Sequence, residues 1–246
     1  MGETMRILYL TNQYSQQRQR EKKRWIYPVL MAMESEWHRK NGDEVDWNFG
    51  QGRYNKIISK PEGLPFLSLP HPDRIFTNAM DKRYQNNGNF KYRPGTYIQS
   101  ASGCSHGACT FCVENGQPYE VRPVEDVIRE IEECKQLGFK EVFDDSATFP
   151  TGEWLGRLCK RLTMVINRDT PVLGCNMRIV DVDYKMMKQA GFRMLLFGLE
   201  SANQNTLDRI NKGVKVEDIK YIKRASEAGL EPHICVIFGY PWETDD

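Results

Sequence analysis

The chain has 246 residues, 40% of them hydrophobic and 27% charged, the balance of a globular protein rather than a disordered one. With 34 Lys and Arg against 33 Asp and Glu, a net charge of +1 gives no indication of a nucleic-acid partner. No apolar run approaches the roughly 20 residues of a membrane helix, the start lacks signal-peptide character, and seven unevenly clustered cysteines do not suit a secreted disulfide framework, so the cytoplasm is the expected compartment.

In chain order, residues 5–10 read as a first strand. The charged run at 18–24 reads as a solvated loop. A helix is predicted over 25–41, with Val29, Met33 and Trp37 on one face and Gly42 placed to end it. A second strand over 44–49 completes a small parallel βαβ unit, residues 1–50. From 51 to 94 no periodicity stands out; Pro61, Pro65, Pro70 and Pro72 mark an extended linker, and 86–89 a turn.

From 95 onward the chain alternates strands and helices. Strands are predicted over 95–99, 141–143, 171–175, 194–197 and 234–238. Apolar stripes mark the helices between them: Val124, Val127, Ile128 and Ile131; then Leu155, Leu158, Cys159 and Leu162; then Tyr184, Met187 and Ala190. A fourth helical region spans 204–228. Three of these helices close on the same Gly-apolar step (Gly138-Phe139, Gly191-Phe192, Gly229-Leu230), which is how a helix is turned into a following strand. The pattern predicts an α/β fold, a partial βα TIM-like barrel over 95–246 preceded by the βαβ unit. Polar residues follow each strand: Asp144, Asp145 and Ser146, then Asn176 and Arg178, then Glu200. In βα barrels that rim carries the chemistry.

The first barrel strand runs into three cysteines, Cys104, Cys109 and Cys112, spaced C-x4-C-x2-C. Three thiolates on one short loop point to a metal with a position left open. Zinc is one reading, with His106 as a fourth ligand in a non-catalytic stapled scaffold. An iron–sulfur cubane with one iron free of protein ligands is the other, and ligand count favours it.

The loop, with Phe111 before its last cysteine, resembles the cluster loop of the radical S-adenosylmethionine (SAM) superfamily, whose commonest spacing has one residue fewer between the first two cysteines. Further segments resemble that family in its order: 143–146, 176–178, 190–192, Phe197-Gly198-Leu199-Glu200-Ser201, Ile210-Asn211-Lys212-Gly213 and 238–244. The 63–74 stretch is similar to the linker of the cobalamin-binding branch, and 5–49 to the first part of its cobalamin domain. That branch's Asp-x-His-x-x-Gly motif is absent here, so a remnant without cobalamin is expected.

The resemblance implies that Cys104, Cys109 and Cys112 bind a [4Fe-4S] cluster whose open iron takes the SAM amino and carboxylate groups. It implies reductive cleavage of SAM to a 5′-deoxyadenosyl radical, used for methylation, methylthiolation or oxidative modification of an unknown substrate. An electron donor such as flavodoxin or ferredoxin is the implied partner. Asp145, with Asp144 as a substitute, would receive the SAM ammonium, Arg178 its carboxylate and Glu200 its ribose hydroxyls. Phe111 would lie near the adenine, and Gly239 with Pro241 would shape the adenine wall. Cys134, Cys159, Cys175 and Cys235 are expected to be packing residues, and His106 and His233 hydrogen-bonding ones. The predicted strands number five where the family has six. The expectation is a fragment, or a short protein whose barrel a partner completes.

Overall fold

The computed structural model describes residues 4–9, 28–47, 56–58, 61–86 and 88–243; the charged run at 18–24 and the outer ends of the first predicted helix and second strand lie outside them. The chain divides into two compact units, Met1–Tyr97 and Ile98–Asp246.

In the first unit, β1 (Arg6–Tyr9) pairs in parallel with β2 (Glu44–Trp47), and α1 (Val29–Lys40) connects them. Gly42, at a φ of 92°, follows the helix as expected. A strand that no sequence pattern announces, β3 (Lys56–Ile58), pairs in parallel on the other edge of β1. Three residues are too few to display an alternation. The linker is less extended than predicted: it carries a 3-10 turn at Phe66–Ser68 and the four-residue α2 (Lys82–Gln85). His38, 4% exposed, has Nδ1 2.7 Å from an Asp43 carboxylate oxygen and Nε2 2.9 Å from one of Glu62.

The five predicted barrel strands are present: β4 (Gly95–Ile98), then, after a short antiparallel pair formed by β5 (Ala101–Ser102) and β6 (Glu120–Val121), β7 (Glu141–Asp144), β8 (Val172–Met177), β9 (Phe192–Glu200) and β10 (Glu231–Val236). The sheet order is β10-β9-β8-β7-β4, with β7, β8, β9 and β10 paired in parallel. Between them lie α3 (Val124–Gln136), α4 (Gly152–Val165), α5 (Tyr184–Gln189), α6 (Gln204–Arg209) and α7 (Ile219–Glu227). The stripes read from the sequence are the buried faces: Val127, Ile128 and Ile131 of α3 and Leu155, Leu158 and Leu162 of α4 are each at most 4% exposed. Gly138, Gly191 and Gly229 have φ between 83° and 90°, the left-handed step that ends each helix before its strand.

The fourth helical region departs from expectation. It is two helices, α6 and α7, separated by a turn in which Asn211 (φ 52°) and Gly213 (φ 62°) are both left-handed. A helix cannot run through two such residues.

At the N-terminal ends of the strands, Arg193 Nε donates to Glu141 Oε1 at 2.7 Å and Nη1 to Glu231 Oε2 at 2.5 Å, with Glu141 fully buried. This ionic brace ties β7, β9 and β10 at the end opposite the polar rim. The outer strand β10 leaves Ile234 and Val236 about half exposed (48% and 46%), and Phe238 beyond it 87% exposed.

Candidate functional site

The cysteine loop leaves the sheet through the β5–β6 pair, which closes its two ends together. Its stem is fixed by the residues after β7. Asp144, fully buried, accepts hydrogen bonds from the Ser100 N–H at 3.0 Å, from the Ser100 hydroxyl, and from the Ser146 N–H at 3.0 Å. The Ser146 hydroxyl accepts from the Ala101 N–H at 2.8 Å. Burial pushes the Asp144 carboxyl up against these bonds. Asp144 is therefore committed to the stem of the loop.

The three thiols line one cavity of about 210 Å³ at the C-terminal ends of the strands, shared with Phe111, Arg178 and Glu200. Three of the five expected contact residues thus converge with the cysteines, and two do not. Asp145 lies outside the lining, half-buried, with its carboxyl pushed up to about 6 by burial and by Asp144 despite a hydrogen bond with Asn176. Gly239 is exposed and also outside it.

Arg178 reaches the cavity but makes neither of the ion pairs open to it. Its Nη2 donates to the carbonyls of Lys212 (2.8 Å) and Gly213 (3.2 Å). Glu200 instead pairs with Lys212, Nζ to Oε1 at 2.9 Å, both side chains 10% exposed. Glu200 sits in a left-handed conformation (φ 68°), a strain that surrounding structure must hold in place. The glycine two residues earlier leaves room for the pair: a Cβ on Gly198 would fall 2.6 Å from Glu200 Oε1 and 2.9 Å from Lys212 Nζ and would shift one of these side-chain ends. The Gly-Leu-Glu-Ser turn is thus the seat of an ion pair.

The thiols differ in their electrostatics. Burial works against ionisation of Cys104, but the Gly107 N–H, the Thr148 hydroxyl (2.9 Å from Sγ), the His106 N–H and Arg178 outweigh it and hold this thiol below its ordinary range. Burial pushes the Cys109 thiol up, with Lys212 and Arg178 offsetting part of the effect. Thiolate is the ligating form, so two cations beside the loop favour metal binding.

Lys212 and Thr148 were given no role in the sequence reading; only the inclusion of Lys212 in a family-like segment hinted at one. Cys235 is a correction. It was expected to be packing, but it sits on the outer strand, is exposed, and lines the cavity. Cys134, Cys159 and Cys175 are buried as expected.

Among the described residues no three His, Cys, Asp or Glu side chains gather around a point one metal ion would occupy. A cubane makes a different demand, since it spreads three thiolates over three irons and needs them around one cavity. The cavity walled by Cys104, Cys109 and Cys112 meets that demand. His106 does not line that cavity, and its Nε2 donates to the Asn211 carbonyl oxygen at 2.7 Å.

The chain is thus a partial βα barrel with three loop thiols around a cavity at the strands' C-terminal ends. The Radical SAM superfamily model matches residues 98–246, and the chain belongs to that superfamily. An uncharacterised protein of Methanocaldococcus jannaschii is 26% identical over 162 residues, covering 58% of this chain and 50% of the relative. The chain thus spans half the length of that curated relative. Among solved structures, the cobalamin-dependent S-adenosylmethionine radical enzyme OxsB with aqua-cobalamin bound superposes with a TM-score of 0.57 at 18% identity, covering 73% of this chain and 27% of its own. The radical S-adenosylmethionine methyltransferase TsrM of Kitasatospora setae, bound to tryptophan and a SAM analogue, gives 0.57 at 20% identity over 75% of this chain and 35% of its own. At these identities the likeness is one of fold. No helix among the described residues is long and apolar enough to cross a membrane.

Proposed function

We propose that the cavity binds a [4Fe-4S] cluster and SAM and is the site of reductive SAM cleavage, within a chain organised as a βαβ unit (1–50), a linker (51–94) and a radical SAM core (95–246). The observation that carries this reading is the convergence of Cys104, Cys109 and Cys112 with Arg178 and Glu200 on one cavity. Cys104, Cys109 and Cys112 would hold the cluster. When bound, it supplies a low-potential electron that breaks a carbon–sulfur bond of SAM to give methionine and a 5′-deoxyadenosyl radical.

The chain's own residues bind and orient. Glu200, ion-paired with Lys212, presents a carboxylate that accepts from both ribose hydroxyls. Arg178 has donors beyond the one spent on two carbonyls, and they suit the SAM carboxylate. Phe111, 43% exposed, offers its ring and backbone to the adenine. Asp145 reaches the SAM ammonium only if its side chain turns toward the cavity, and Gly239 shapes the adenine wall only if its segment closes inward.

Methylation, methylthiolation and oxidative modification all fit this site, with an electron donor of the flavodoxin or ferredoxin kind and a cytoplasmic setting. We read the first unit as a remnant without cobalamin. The family's cobalamin motif is missing, and His38 spends both ring nitrogens on Asp43 and Glu62.

Equilibrium binding of SAM to the reconstituted protein tests the reading. Glu200→Gln is expected to weaken binding about tenfold, as loss of charge-assisted hydrogen bonds of ~1.5 kcal/mol requires. Unchanged affinity in that variant removes Glu200 from the site.

A further inference from the structure

The turn between α6 and α7 reaches back to a loop a hundred residues earlier. The Thr110 N–H donates to the Ile210 carbonyl at 3.0 Å. His106 Nε2 donates to the Asn211 carbonyl at 2.7 Å, and Asn211 Nδ2 donates to the Ala108 carbonyl at 3.0 Å. These three bonds fall on the segment between Cys104 and Cys112. The same turn holds the other side of the cavity: its Lys212 and Gly213 carbonyls accept from Arg178, and Lys212 Nζ donates to Glu200.

The backbone of the turn is shaped for this work. The left-handed Asn211 and Gly213 swing the Asn211 carbonyl toward the cysteine loop. Gly213 also packs on the His106 ring, where a Cβ would lie 2.5 Å from Cε1. The cysteine loop has few bonds of its own. Between Cys104 and Cys112 the internal backbone bond is Cys112 N–H to the Cys109 carbonyl at 3.2 Å, and Gly116 N–H to the Gly107 carbonyl at 2.9 Å ties it to the segment that follows. A loop that must present three thiolates gains affinity from being held in shape beforehand.

We propose that the turn at 210–213 is a positioning latch, setting the cysteine loop, Arg178 and Glu200 in register before any cofactor arrives. This rests on the loop being the cluster site only for the first of its two tests.

The variants are Asn211→Gly, which keeps the left-handed backbone and removes the bond to Ala108, and Gly213→Ala, which drives a methyl into the His106 ring. In the first test the proteins are reconstituted with iron and sulfide, and release of iron to a ferrous chelator is timed. The expected result is release about tenfold faster in both variants, the usual scale when a partner that orients a metal ligand is lost. In the second, labelling of Cys104, Cys109 and Cys112 by an aromatic disulfide is followed by peptide mass spectrometry on the metal-free proteins. Labelling is expected about fivefold faster, one hydrogen bond's worth of loosening, while the thermal midpoint stays within a few degrees of wild type.

Wild-type labelling rates in Asn211→Gly overturn the latch, as does an unchanged chelator rate, and neither result touches the proposed function. Failure of the wild-type protein to take up iron overturns the proposed function instead, and the labelling test still decides the latch. If Gly213→Ala does not fold, Asn211→Gly carries both tests.

Discussion

Cys104→Ala, Cys109→Ala and Cys112→Ala are each expected to take up less than one iron per chain under conditions where the wild type takes up about four, and to lose the thiolate-to-iron absorption. Each cysteine serves one iron, so the loss of any one leaves an iron without its anchor. Cys235→Ala is the informative control, because its thiol lines the same cavity. It lies on β10 rather than on the loop that carries the other three thiols, outside their C-x4-C-x2-C spacing. Cys235→Ala is therefore expected to retain the wild-type iron content. Iron and sulfide analysis with absorption spectroscopy reads all four variants.

The largest effect on stability is expected at the opposite end of the sheet. Arg193→Met leaves the fully buried Glu141 without its guanidinium partner, while Glu231 is left in partial contact with water. Removing one member of a buried pair costs about 3–5 kcal/mol, because the remaining carboxylate stays desolvated after losing the cation it faces. In a chain of this size that lowers the thermal midpoint by roughly 6–20 °C. The double variant Arg193→Met/Glu141→Gln removes the stranded charge and is expected to recover much of the loss. A midpoint for Arg193→Met within about 2 °C of wild type contradicts the brace, a loss of at most about 0.5–1 kcal/mol on the same scale.

The barrel was legible because its strands and helices follow one rhythm. Apolar stripes at helical spacing in 124–131 and 155–162, and three Gly-apolar closures, each have a physical reason that does not depend on distant contacts. The cysteine loop was legible as chemistry because thiolate spacing is local. Apart from the three-residue β3, the misses are long-range. Nothing around 204–228 announces that the helix breaks to serve a loop a hundred residues earlier; only Asn211 and Gly213, two residues tolerant of left-handed backbone, could have signalled it. The exposure of Cys235 follows from β10 lying at the sheet's edge, which is a property of strand order and not of the sequence around it. The Lys212–Glu200 pair joins residues of different elements. A carboxylate read from the sequence as a ligand for ribose turns out to have a cation at hand already.

That pairing bears on mechanism. The ion pair fixes where the Glu200 carboxylate points. On the proposed function Lys212 acts on SAM through Glu200, and the turn at 210–213 carries it into place together with the carbonyls that hold Arg178. One short segment serves both the thiolate side and the carboxylate side of the cavity.

The most direct measurement is of 5′-deoxyadenosine and methionine after anaerobic incubation of the reconstituted, chemically reduced protein with SAM, quantified by chromatography. The account expects both products in equal amounts, and none from Cys112→Ala. A protein that carries about four irons per chain, binds SAM and still forms neither product would contradict it.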